Sequence, residues 1–255
     1  MNGLFANPLF WPNLPDNWQP QQETVDVFAI HLQHPPLSPQ VALEHLSDHE
    51  QRQVSRFKSS VKQREFTLTR AMLRLILASV THANPLALRF ERTALGKPFL
   101  PQTPVHFNVS HSKDIALIAI CPDLVLGVDI EQVQPRNSFL KLAQRFFAPA
   151  EFQAISQLPQ PLQLTAFYST WTRKEAFVKA TAKGIALGLD RFEVNVDPSQ
   201  PACFLKLPPE IKTAWSLHDL TPAPAPGYTA SLCVEASMPD INCRQISHPQ
   251  QLPSS

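Results

Sequence analysis

With 255 residues and a formal net charge of +1, the chain has too little excess positive charge for a dedicated nucleic-acid binder. Its 44% hydrophobic content is enough to bury the core of one large domain or two modest ones. Four cysteines without a CxxC spacing, and a proline-broken N-terminus with no basic region, argue against secretion and for reduced thiols in a cytoplasmic protein. The longest apolar region, 115–130, is interrupted by Pro122 and Asp123, which reads as a hairpin and not as a membrane span.

In chain order, residues 1–24 are rich in proline and asparagine and read as a loosely packed arm. Residues 25–32 form a first strand. Ser47-Asp48-His49-Glu50 has the capping-box spacing, so a helix is predicted to begin there, and a longer one to run over 63–80. Basic residues crowd this region: Arg52, Arg56, Lys58, Lys62, Arg64, Arg70 and Arg74 stand against Glu65 alone within 51–74. Such a stretch is either a solvated helix face or a surface for a polyanion or an acidic protein. RTALGKPFL (92–100) is a turn built on Gly96 and Pro98, and HFNVSHSKDIALIAI (106–120) gives a strand, a polar corner and a second strand. Pro122-Asp123 then turns the chain into GVDIEQV (127–133). Helices are predicted over 136–147, 149–158 and 162–181. Beyond 186 the chain returns to strands separated by proline-rich loops, with 228–235 the last core strand and a loose tail from about Ser237. No fixed-period repeat occurs, yet each half offers a strand, a long helix and further strands. The pattern is compatible with two α+β lobes, 1–125 and 126–255.

The polar chemistry concentrates in two segments. In GVDIEQV, alternation puts Val128 and Ile130 on one strand face and Asp129 and Glu131 on the other. In WTRKEAFVKATAKG (171–184), Trp171, Glu175 and Lys179 recur every fourth residue and share one helical stripe. Carboxylates with a lysine suit a hard divalent cation such as Mg²⁺ bound to a phosphorylated substrate. Read alone, the same residues also fit an exposed strand face and a surface Glu–Lys pair. Of only six glycines, Gly96, Gly127, Gly184 and Gly188 fall inside or beside these polar motifs. Ser110-His111 lacks a GxSxG elbow, ALGKPF has Pro98 where a P-loop needs Ser or Thr, and His45 and His49 are better explained as a helix start than as a zinc pair.

Together, RTALGKPFL (92–100), HFNVSHS (106–112), GVDIEQV (127–133), RFFAPAEF (145–152), WTRKEAFVKATAKGI (171–185) and PGYTASL (226–232) resemble, in order, the Sfp-type 4′-phosphopantetheinyl transferases. The resemblance implies an α+β fold of two similar lobes related by a pseudo-two-fold axis, each a small mainly antiparallel sheet packed on a long helix. It also implies a pseudo-dimeric monomer whose site lies between the lobes. Family members transfer the 4′-phosphopantetheine of coenzyme A to a serine of an apo carrier protein and release 3′,5′-ADP. By resemblance, Asp129, Glu131 and Glu175 are expected to bind Mg²⁺, and Lys179 to contact the pyrophosphate. Glu175 or a metal-bound water is the expected base. Ser110 and His111 match a corner that grips coenzyme A phosphates, with His111 on the 3′-phosphate. Arg92, Gly96, Lys97 and Pro98 match the segment lining the nucleotide, followed by Asn108.

One departure stands out: Gln53 replaces a basic residue found in many relatives, so the 3′-phosphate contact passes to Arg52. The basic stretch 51–74 would grip coenzyme A and meet an acidic carrier. Fatty-acid, polyketide and non-ribosomal-peptide carriers are all candidate acceptors. The alternative of a non-catalytic coenzyme A or carrier-binding module would not need the full set of carboxylates and Lys179.

Overall fold

The first predicted strand is buried along nearly its whole length, because its alternating side chains face two different cores. In the computed structural model, which describes residues 10–252 apart from 17 and 102, it is β1 (Thr24–His31). It is followed by α1 (Pro39–Glu44), α2 (Asp48–Arg56), α3 (Ser60–Thr81), β2 (Glu91–Arg92), β3 (Pro98–Phe99), β4 (His106–Ser112), β5 (Ile115–Cys121) and β6 (Leu126–Gln132). The rest of the chain gives α4 (Phe139–Phe146), α5 (Pro149–Gln157), α6 (Gln160–Ala180), β7 (Glu193–Val194), β8 (Phe204–Lys206), β9 (Ser216–Asp219), β10 (Tyr228–Val234) and β11 (Asp240–Gln245). The protein is α+β, with small, mainly antiparallel sheets and helices. Among the described residues no helix is long and apolar enough to cross a membrane.

Two sheets organise the chain: a four-stranded one in the order β11-β1-β5-β4 and a three-stranded one in the order β6-β10-β9. Phe28, Ile30, Ala116, Ile118 and Ile120 of the first sheet pack on α3 through Leu68, Ala71 and Met72. Its opposite face, with Val25, Val27, Ala29, Leu117 and Ala119, meets Val128, Ile130, Ala230 and Leu232 of the second sheet. The far side of the second sheet carries α6, which packs Phe177 against Phe192, Leu217 and Cys233. The layers therefore run helix, sheet, sheet, helix, and the two long helices lie on the outside.

Helix starts follow local chemistry. Ser47 and Glu50 form the expected capping box at α2, and Ser59 caps α3. α1 lies outside the expected helices; Ser38 caps it and Pro39 opens its first turn, a local start signal.

The described parts of both terminal segments depart from the expected loose packing. Trp11, Leu14 and Trp18 are buried, and the Trp11 indole donates to the Pro222 carbonyl at 2.8 Å. The first nine residues of that arm lie outside the described residues. Beyond 237, β11 pairs in parallel with β1, from Thr24 opposite Asp240 to Ala29 opposite Gln245. The tail is thus an edge strand of the first sheet, beside strands from the first half of the chain. Burial of Ile246 and Leu252 against the α3 core supplies the driving force.

Candidate active site

The site begins where β4 runs beside β6. No backbone ladder joins this pair among the described residues; side chains of β4 do instead. Asn108 Oδ1 accepts from the Val128 N–H at 2.9 Å, and Ser112 Oγ accepts from the Gln132 N–H at 3.1 Å. Between them, Ser110 Oγ donates to Asp129 Oδ1 at 2.8 Å, and Ser112 Oγ donates to Glu131 Oε2 at 2.9 Å. The alternation of small polar side chains along HFNVSHS thus becomes a seam that holds both acidic residues of GVDIEQV.

α6 crosses this seam at Gly127. A Cβ there would lie 2.3 Å from the Ala176 carbonyl oxygen and from the Ala180 nitrogen, so only glycine permits the approach. The crossing brings the 171/175/179 stripe over the acidic strand. Lys179 Nζ donates to Asp129 Oδ1 at 2.6 Å and to Ser110 Oγ at 2.9 Å. Burial and the charge of Asp129 push the Glu175 carboxyl above its ordinary range, with Glu131 adding to the effect and Lys179 opposing it. Glu131 is likewise raised by burial and by Asp129, against Ser112, Lys179 and Arg136. Asp129 itself is only 4% exposed, and its Oδ2 is buried with no hydrogen-bond partner.

Asp129, Glu131, Glu175 and Lys179 therefore form one electrostatic cluster. Among the described residues, no group of three His, Cys, Asp or Glu side chains is gathered closely enough to be a ready-made metal centre. Within the cluster, Lys179 pairs with Asp129. The donor chemistry still fits a hard cation, since an orphaned buried carboxylate oxygen and two mutually repelled carboxylates are what such an ion relieves.

Cavities flank the cluster at both ends. On the Lys179 side, a cavity of about 260 Å³ is lined by Gly96, Lys97, Pro98, Asn108, Glu175 and Lys179. Pro98 and Val109 also line an adjoining cavity of about 360 Å³, walled by Phe57, Phe66 and Leu73 and edged by Lys62, Glu65, Thr69, Arg70 and His111. On the Glu131 side, a cavity of about 200 Å³ is lined by Phe167, Tyr168, Trp171, Gln132, Gln134, Ser112, Lys113 and Arg136.

Several expected contacts fall elsewhere. Arg52 lines none of these cavities; the basic groups at the larger one are Lys62, Arg70 and His111. Arg92 Nη1 folds back onto the Gly96 carbonyl at 2.8 Å and braces its own turn. The Lys97 ammonium is engaged by backbone, donating to the carbonyls of Leu126 at 2.9 Å and Ala180 at 3.0 Å. Ser110 spends its hydroxyl on Asp129. His111 is exposed, with Nε2 3.9 Å from Glu65 Oε2. The basic stretch is also divided. Arg74 is buried against Glu50 at 2.7 Å, and Arg70 reaches the same carboxylate at 3.4 Å. Arg64 bonds the carbonyls of Leu32 and Gln33.

Other residues were missed. Thr69 Oγ1 and Arg70 Nη1 are buried atoms without hydrogen-bond partners at the larger cavity. Lys62, Phe66, Thr69, Arg70 and Leu73 recur at helical spacing, which was the available signal. Within W-x-x-K-E, Lys174 is fully buried, 2.8 Å from the equally buried Glu151, and donates to the carbonyls of Leu189 and Phe192. Its neighbour Arg173 pairs with Asp219 of β9. These two pairs hold α6 from behind while Glu175 faces the cluster.

A family model for the 4′-phosphopantetheinyl transferase superfamily matches residues 125–233, and one for the N-terminal part of 4′-phosphopantetheinyl transferase matches residues 16–123. The chain is 33% identical over 216 residues to the 4′-phosphopantetheinyl transferase HetI of Nostoc sp., covering 83% of this chain and 89% of that protein. It is 33% identical over 217 residues to the 4′-phosphopantetheinyl transferase psf-1 of Bacillus pumilus, covering 81% and 88%. Against the 4′-phosphopantetheinyl transferase Sfp of Bacillus subtilis, identity is 32% over 126 residues, covering 49% and 55%.

Proposed function

The chain belongs to the 4′-phosphopantetheinyl transferase family, and from that premise we propose that it moves the phosphopantetheine of coenzyme A to a serine of an apo carrier protein. The second product is 3′,5′-ADP. The serine oxygen forms a bond to the phosphorus that bears the pantetheine. The bond from that phosphorus to the bridging oxygen breaks, and the electron pair leaves with the nucleotide. The carrier is an acyl or peptidyl carrier domain, and one chain suffices, because both sheets that frame the cluster come from the same chain.

The observation that carries this reading is the pairing of Lys179 with Asp129 between cavities at either end. Along α6, Trp171 belongs to one cavity and Lys179 to the other, with Glu175 between them and lining the latter. The pyrophosphate would lie along this row, the nucleotide toward Gly96, Pro98 and His111. The pantetheine would run toward Trp171 and Gln134, where aromatic walls and amide side chains match its alternating apolar and amide groups.

Asp129, Glu131 and Glu175 would hold Mg²⁺, which, when bound, neutralises charge on the pyrophosphate. Lys179 supplies a fixed positive charge to the departing oxygen. Glu175, which lines the Lys179-side cavity, or a metal-bound water would take the serine proton. Positioning and electrostatics account for most of the acceleration, since phosphoryl-type transfer asks little covalent help of the protein.

Intact-mass analysis of apo-carriers incubated with coenzyme A, with and without Mg²⁺, tests the proposal. Metal-dependent gain of one phosphopantetheine on the carrier serine is expected. Binding of coenzyme A without any such gain, across fatty-acid, polyketide and peptide carriers, would leave the binding-module alternative.

A further inference from the structure

Lys97 sits where the chain joins three parts of the site, and its ammonium is already committed. It donates to the carbonyl of Leu126, the first residue of β6, and to that of Ala180, the last residue of α6. The Ala180 carbonyl is one of the four at the end of a helix that have no intrahelical partner, and the helix dipole places negative charge there. A lysine ammonium is suited to both features.

The location matters more than the bonds themselves. Leu126 precedes Gly127, at which α6 descends onto β6 with no room for a Cβ. Ala180 directly follows Lys179, whose ammonium meets Asp129. Gly127 permits the crossing, and Lys97 pins it from outside. The turn that carries Lys97 is stiff: Thr93 N–H donates to the Lys97 carbonyl at 2.9 Å, Lys97 N–H to Thr93 Oγ1 at 3.1 Å, and Arg92 Nη1 to the Gly96 carbonyl. The adjoining Pro98 walls both nucleotide-side cavities.

We infer that Lys97 is a positioning residue and not a phosphate ligand: it ties the turn that walls the nucleotide cavity to the strand and helix that carry Asp129 and Lys179. Through this tie, the cavity wall and the acidic row hold one fixed separation. The inference rests on the proposed transferase reading for its kinetic consequence, but its structural core does not.

Two measurements test it together. The first is hydrogen–deuterium exchange across 176–182 and 126–129 in wild type, Lys97→Met and Lys97→Arg. The second is steady-state kinetics with coenzyme A and with 3′-dephospho-coenzyme A. Lys97→Met keeps the aliphatic stem and removes the donors. It should accelerate exchange in the last turn of α6 and lower kcat by roughly 10- to 100-fold, the scale of an ångström-sized misplacement. The fall should be equal for both donors, with the ratio of their KM values unchanged. Lys97→Arg, which can reach both carbonyls, should recover most of kcat and the slow exchange. Lys97→Gln keeps a shorter, uncharged donor group and serves if Lys97→Met does not fold; it should fall between the two. A rise in KM confined to coenzyme A would instead make Lys97 a 3′-phosphate ligand and overturn the inference. So would wild-type exchange in Lys97→Met. If wild type modifies no carrier, the transferase reading fails while exchange still decides the tie.

Discussion

Lys179 Nζ and Asp129 Oδ1 stand 2.6 Å apart, joined by Ser110 in a triangle that draws one residue from each of α6, β6 and β4. The charge of the acidic row is therefore partly balanced within the protein, and Glu175 carries the least compensated carboxylate. This division of roles sets the first prediction.

Glu175→Gln should lower kcat by about 10²- to 10⁴-fold, the usual span for loss of a general base, with KM for coenzyme A changed far less. Asp129→Ala should abolish transfer, because it removes both the orphaned oxygen and the partner of Lys179. Loss of Glu131 should hurt less, since water can replace one ligand of an octahedral shell. Steady-state rates at limiting Mg²⁺ check all three, and normal turnover in Asp129→Ala would sink the assignment.

At the far end of the nucleotide path, His111→Ala and Lys62→Ala should weaken coenzyme A more than its 3′-dephospho form, because charge-assisted bonds to phosphate are among the stronger polar contacts. Arg52→Ala should leave the two donors indistinguishable from wild type. Calorimetric titration of each variant with both ligands reads the difference. Equal losses in His111→Ala would show that it does not read the 3′-phosphate.

Glu151→Gln should cost roughly 3–5 kcal/mol of stability, because it leaves the Lys174 ammonium buried without its counter-ion. Burial raises the Glu151 carboxyl and lowers Lys174, with their mutual attraction working against both shifts. Lys174→Met combined with Glu151→Gln should cost less than Glu151→Gln alone. Urea denaturation measures these differences, and additive losses would refute a coupled pair.

The β1–β11 junction makes stability depend on pH. Burial raises Asp26 from 3.8 to about 6, against opposing contributions from Trp18, Asn242 and Arg244. The folded state thus binds this proton more tightly than the unfolded chain does. The resulting penalty is absent below about 3.8, grows as pH rises, and is complete above about 6. Asp26→Asn should match wild type near the lower limit and exceed it by up to roughly 3 kcal/mol at neutral pH. Denaturation curves across that window would show a constant difference if Asp26 were not responsible.

Carrier recognition should depend on salt. Arg52, Arg56 and Lys58 are exposed, whereas Arg70 and Arg74 are held by Glu50, so only part of the basic stretch is free to attract an acidic carrier. Screening acts over about 8 Å at physiological ionic strength, so KM for the carrier should rise with salt more steeply than KM for coenzyme A. Lys58→Glu should reproduce the rise at low salt. Normal carrier kinetics in that variant would leave the basic stretch without a docking role.

The residue pattern put Asp129 and Glu131 on one strand face and Glu175 and Lys179 on one helical stripe, but it fitted a solvated surface as well, and the family resemblance singled out the site. Strand alternation in GVDIEQV and four-residue recurrence in α6 are local periodicities, and the backbone geometry they imply needs no distant partner. The capping box at Ser47 was legible for the same reason. Tertiary structure decided everything that depends on which distant backbone a side chain reaches. Lys97 reads as a cavity residue from its motif, yet the end of α6 and the start of β6 claim its ammonium. Arg70 looks like one more surface charge until Glu50 and Phe90 enclose it. The chain ends look loose because their polar, proline-rich composition carries no periodicity. Among the described residues, Leu14, Trp18, β11, Ile246 and Leu252 pack or pair against β1 and α3, contacts of long sequence separation that no local pattern encodes.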